Sequence, residues 1–149
     1  MIRDLSQQTA IKAIDILVKK DLNFFEPTKK QRMNLAAVYA RKNMILYGRA
    51  FDVVKAKKKI DFDSEEDILK NIDSIVIYEI KSTNRKDMRK DFKNYFFDLT
   101  TAELLVAQSL KEKFKFIFVN TVTKDFMELS VEQVFGKAVK IYPKWAIRF

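Results

Sequence analysis

The stretch Ser74-Ile75-Val76-Ile77-Tyr78-Glu79-Ile80-Lys81-Ser82 decides the fold. Apolar and β-branched side chains fill both of its alternating faces, the pattern of a strand covered on both sides. A strand of that kind needs a layer above and a layer below. The expected architecture is therefore α/β: a mixed central β-sheet flanked by helices. Outward from this strand, residues 114–120 (FKFIFVN) form a second buried strand, and residues 50–60 (AFDVVKAKKKI) a strand that turns basic along its length. Between them, 61–71 reads as an acidic loop or short helical turn, and Thr100 to Lys111 as a helix with one apolar face.

Towards the N-terminus, Ala10, Ile11, Ile14 and Leu17 recur at helical spacing within 6–20, with Ser6 as cap. Pro27 and Thr28 open a second helix, expected to run to about Leu46 and to end at Gly48. Towards the C-terminus, Ser130 to Phe135 reads as a short helix and KAVKIYPKWAIRF as a strand-like tail. With 149 residues, the chain is expected to form one domain over 1–149, with helices in 1–47 and the sheet core in 48–149.

Composition narrows the chemistry. There is no cysteine and no histidine. Disulfide scaffolds, Cys- or His-ligated metals, and Ser-His-Asp or Cys-His catalysis are excluded. A bound metal would need oxygen ligands, which favours Mg²⁺, Mn²⁺ or Ca²⁺. The formal net charge of +9 favours a polyanionic partner, nucleic acid before an anionic membrane surface, although a lysine-rich surface can also serve solubility alone. No segment is long and apolar enough to span a bilayer, and MIRDLSQQ does not read as a signal peptide, so a cytoplasmic protein with no membrane role is expected.

The chemistry-bearing residues are few. Glu79 and Lys81 lie two apart on the 74–82 strand, so they share one face, about 7 Å apart along it. Buried there, they need each other, a metal ion or a water-filled cleft. If the 50–60 strand pairs alongside, Asp52 reaches the same spot. Two carboxylates and a lysine suit metal-assisted phosphodiester hydrolysis: the acids hold Mg²⁺ (or Mn²⁺), and the lysine orients water or stabilises developing charge. Glu-x-Lys alone is a weak signal, since about one such triplet is expected by composition. A plain strand-end ion pair is the bland alternative.

Asp52 followed by Glu79-Ile80-Lys81 resembles the D…E-x-K signature of PD-(D/E)XK restriction-endonuclease-like proteins. The wider string is similar to the family called Protein NO VEIN C-terminal domain: Gly48-Arg49-Ala50-Phe51-Asp52-Val53, Tyr78-Glu79-Ile80-Lys81-Ser82-Thr83, Phe97-Asp98-Leu99-Thr100-Thr101-Ala102-Glu103-Leu104, and the strand at 114–120. The resemblance covers roughly residues 48–135. It implies a restriction-endonuclease-like αβα sandwich and a magnesium-dependent endonuclease acting on DNA in restriction or defence, with Asp52, Glu79 and Lys81 catalytic and Asp52 and Glu79 on the metal. Asp52 follows Phe51 instead of proline, and no acid stands on the helix before the sheet, where Glu26, Gln31 and Asn34 are the nearest polar residues.

Glu103, three residues after Thr100, reads first as half of a capping box. The resemblance sets that helix beside the site, making Glu103 and Gln108 possible accessory residues. Arg85, Lys86, Arg89, Lys90 and Lys93 recur at helical spacing and suit phosphate contacts, as do Lys55, Lys57, Lys58 and Lys59, though a solvated face explains the first group equally well. The acidic run Asp61 to Asp67 lacks the glycine and the final glutamate of an EF-hand. Phe114, Phe116 and Phe118 read as core. The rivals to a nuclease are a non-catalytic nucleic-acid-binding module and a protein–protein adaptor on the same scaffold. A homodimer is expected if both strands of a duplex are cut.

Overall fold

The computed structural model describes residues 5–149. Five strands form one mixed sheet in the order β1 (Phe24–Phe25), β2 (Val53–Ala56), β3 (Ile75–Thr83), β4 (Phe114–Asn120) and β5 (Phe126–Leu129). Every neighbouring pair is antiparallel except β3 and β4, which run parallel. The parallel step needs a crossover, and α4 (Thr101–Leu110) supplies it.

Alternation along β3 sorts its side chains onto two cores. Tyr78 and Ile80 join Val53, Ile117 and Val119 against Ala13 and Leu17 of α1 (Leu5–Lys20). Ile75 and Ile77 join Val54, Phe114, Phe116 and Phe118 against α2 (Lys29–Arg41), α3 (Glu65–Lys70), α4 and α5 (Val131–Lys137). The result is the αβα sandwich that a doubly covered central strand demands.

The local signals act where they were read. Thr28, Thr100 and Ser130 each cap a helix with the reciprocal capping box, and Ser64 caps α3. Ser6, expected as a cap, lies inside α1, which already includes Leu5. Four boundaries differ. Helix α2 stops at Arg41, because Asn43 takes a left-handed φ of 58° and turns the chain; Gly48 lies beyond, in a turn. The strand expected over 50–60 is trimmed to Val53–Ala56. Strand β1 brings part of the 1–47 region into the sheet, pairing Phe24 with Lys55. The C-terminal tail after α5 forms no strand and stays exposed.

Tyr39 is fully buried, yet its hydroxyl has no hydrogen-bond partner among the described residues. An unpaired buried hydroxyl costs stability. Tyr39→Phe should therefore raise the unfolding free energy by about 1 kcal/mol in a urea titration; a clear loss would show that the hydroxyl has found a partner.

Candidate active site

The site is built where β2 begins, beside the second half of β3. The β2–β3 register ends at Val53 opposite Tyr78. Asp52 continues the contact differently: its N–H donates to the Tyr78 carbonyl (2.9 Å), and its Oδ2 accepts from the Ile80 N–H (2.8 Å). The side chain thus takes a place on the ladder and lies against the segment between Glu79 and Lys81. Glu79 and Lys81 point to the same face as Ile77, towards the four-helix layer.

Glu79 is largely enclosed, and its carboxyl lies within hydrogen-bonding reach of Asp52. Burial first, then the negative charges of Asp52 and Glu103, push its pKa up to about 9, against the opposing pull of Lys81. The Lys81 ammonium stands 3.5 Å from Glu79 Oε1 and closer to Glu103, at 2.5 Å from Oε1 and 3.1 Å from Oε2. Glu103 is itself buried and fixed by the capping box, its Oε2 accepting from the Thr100 N–H and hydroxyl. One side chain thus both caps α4 and pairs with Lys81.

Arg32, on α2, is a residue that sequence reasoning missed. Its guanidinium donates to the carbonyls of Gly48 (3.0 Å), Phe51 (2.6 Å) and Asp52 (2.9 Å) and lies over the Phe51 ring. It pins the loop that presents Asp52. A lone arginine on a polar helix carries no spacing signal that could have marked it. The positions considered for an acid on that side lie elsewhere: Glu26 is exposed, Gln31 caps α2, and Asn34 donates to the Phe62 carbonyl.

The other expected residues divide. Gln108 faces solvent, about 140° around α4 from Glu103, and does not reach the site. Residues 84–95 are not helical: Phe92 and Asn94 take positive φ, while Met88 and Phe92 turn inward to the core, so the basic stripe becomes a sequence of turns. Arg85 and Arg89 pair with Asp87 and Asp91; Lys86, Lys90 and Lys93 are exposed with no acidic partner among the described residues. Lys55 lies on the opposite sheet face, paired with Asp21 and stacked over Phe24. Lys57, Lys58 and Lys59 are exposed at the far end of the β2–β3 ladder, where Lys57 donates to Ser74, five residues or about 17 Å from Glu79.

The donor set bears on a metal ion. Among the described residues, no group of three or more acidic side chains is arranged as a ready metal cage. Glu103 is committed to Lys81 and Thr100, which leaves Asp52 and Glu79. Mg²⁺ commonly takes one or two carboxylates and completes its shell with water and phosphate oxygens. Two carboxyls held together, one of them keeping its proton past neutrality, are chemically suited to exchange that proton for a divalent cation. The residues fit such an ion.

No family model matches the chain, and no curated protein or solved structure matches it.

The raised Glu79 pKa has a measurable sign. The unfolded chain releases this proton near 4.5, while the folded chain keeps it to about 9. Between those values the folded state holds the extra proton, so stability falls as pH rises. In EDTA, wild-type protein should lose stability across this range, and Glu79→Gln should flatten the slope; parallel curves for the two would assign the effect to another group. Arg32→Ala should cost about 1–3 kcal/mol by leaving three carbonyls unpaired. Arg32→Lys should recover little of it, since an ammonium cannot reproduce the guanidinium fork. Full recovery with lysine, in the same urea titration, would reduce Arg32 to a point charge.

Proposed function

We propose that the chain is a metal-dependent endonuclease that hydrolyses phosphodiester bonds of DNA, with Asp52, Glu79 and Lys81 as its catalytic residues. The observation that carries this reading is the meeting of the Asp52 and Glu79 carboxyls on one enclosed face, with the Lys81 ammonium beside them. A strand-end ion pair needs one acid for one base. Here two acids approach each other as well, at an electrostatic cost that structure alone does not require.

Asp52 and Glu79 would hold Mg²⁺ or Mn²⁺, which when bound supplies charge neutralisation at the phosphate and activation of water. Asp52 is kept in place by the Ile80 N–H and, through its own carbonyl, by Arg32. Lys81, held between Glu79 and Glu103, offers its remaining donor capacity to a phosphate oxygen or to the attacking water. Exposed Lys86, Lys90 and Lys93 follow Lys81 along the chain and suit the flanking phosphates. The resemblance to PD-(D/E)XK and Protein NO VEIN C-terminal domains points the same way, to a restriction or defence setting in the cytoplasm. Among the described residues no helix is long and apolar enough to cross a membrane. Cutting both strands of a duplex would call for a homodimer.

The second reading, a non-catalytic nucleic-acid-binding module, draws on the tight Lys81–Glu103 pair, which occupies the lysine. Plasmid nicking separates the two. Wild-type protein should nick supercoiled DNA with Mg²⁺ or Mn²⁺ and not in EDTA. Lys81→Ala should lower the rate by about 10²–10³ while DNA binding survives. Absence of metal-dependent nicking in folded wild type, or full activity in Lys81→Ala, would sink the nuclease.

A further inference from the structure

The tail after α5 is unusual in being strand-patterned, basic and unpaired. From Val139 to Phe149, every second residue is apolar (Val139, Ile141, Pro143, Trp145, Ile147, Phe149), and Lys140, Lys144 and Arg148 stand between them with no acidic residue in the segment. Its large apolar side chains are exposed, Trp145 at 87%. The tail is nonetheless not detached. The Tyr142 ring meets Phe96 edge-on at 6.2 Å, and Lys144 pairs with Asp98 at 2.6 Å. Phe96 is 73% exposed and lines a cleft of about 380 Å³ with Ser82, Thr83, Asn84 and Arg85. That cleft opens at the end of β3, one to four residues beyond Lys81.

We propose that Phe96, Tyr142 and Trp145, with the interleaved Lys140, Lys144 and Arg148, form a binding surface for single-stranded nucleic acid leading to the Ser82–Arg85 cleft. Exposed aromatic faces alternating with cations are what an unpaired strand requires: bases stack on the rings and the backbone follows the charge. Duplex DNA hides its base faces and gains nothing from such rings. A membrane surface would use the tail's apolar side chains and cations, but it gives no role to Phe96 at the mouth of a polar cleft. The surface deepens the nuclease reading by adding to its duplex substrate an unpaired segment, such as a flap or a melted end, and in that respect rests on it.

Trp145 is the only tryptophan in the chain, so its fluorescence reports on this surface directly. The test uses the full chain in EDTA, where no metal-dependent cleavage intervenes. An oligothymidylate of about 20 nucleotides should quench Trp145, and a duplex of the same length should do so much more weakly. Phe96→Ala and Tyr142→Ala should each weaken oligothymidylate binding by about tenfold. Both side chains lie on the surface, and far-UV circular dichroism checks that the fold is kept. Equal quenching by the duplex, or unchanged affinity in both variants, would overturn the proposal in favour of a simple basic patch. A blue shift produced by phosphatidylserine vesicles and not by oligothymidylate would assign the tail to a membrane. A blue shift that grows with protein concentration alone would assign it to a second copy. Quenching with no nicking activity would reject the nuclease and keep this surface; nicking without quenching would do the reverse.

Discussion

Strand β3 must be covered on both faces, and one of those faces carries an acid and a base. The sheet order places β3 third of five, with β2 and β4 on its edges and a helical layer on each side. Glu79 and Lys81 are therefore taken out of water by the same packing that buries Ile75 and Ile77. Charges treated this way destabilise a fold unless every one meets a partner. The capped start of α4, which sets Glu103 against Lys81, and the Lys81–Glu79 pair answer that demand, while the Ile80 N–H and Arg32 hold the segment that carries Asp52.

The answers are shared between few groups. Glu103 closes the N-terminus of α4 and receives the Lys81 ammonium, so one carboxylate satisfies a helix and a strand together. Asp52 ends the β2–β3 ladder with its side chain and brings a second acid to Glu79. Structural and chemical roles are thus carried by the same atoms. What stands outside simple structural economy is the proximity of Asp52 to Glu79, since the fold would be served better by an amide in either place.

Much of the sandwich was open to inspection in the sequence, because β3, β4, α1 and α4 are long enough to display their periods and their caps. Strands β1 and β5 are two and four residues long and show no period to read. The end of α2 was misplaced because Asn43, and not a glycine, takes the left-handed turn. The regular spacing of Arg85 to Lys93 suggested a helix, but the buried Met88 and Phe92 and the two left-handed residues follow tertiary packing instead. At the site, parity alone put Glu79 and Lys81 on one face, and adjacency of β2 and β3 brought Asp52 to them. Arg32 was hidden because its partners are backbone carbonyls, which leave no mark on side-chain pattern.

The clamp made by Arg32 also bears on when the site can exist. Its three acceptors lie 16 to 20 residues further along the chain, and Glu103 lies 22 residues beyond Lys81. The parallel neighbour of β3 begins only at Phe114. A ribosome making this protein from its N-terminus would therefore release Arg32, Asp52, Glu79 and Lys81 before Glu103 and β4, the parts that complete their surroundings. The constellation closes only once α4 and β4 have docked, so chains that stop short of them carry Lys81 without its Glu103 partner.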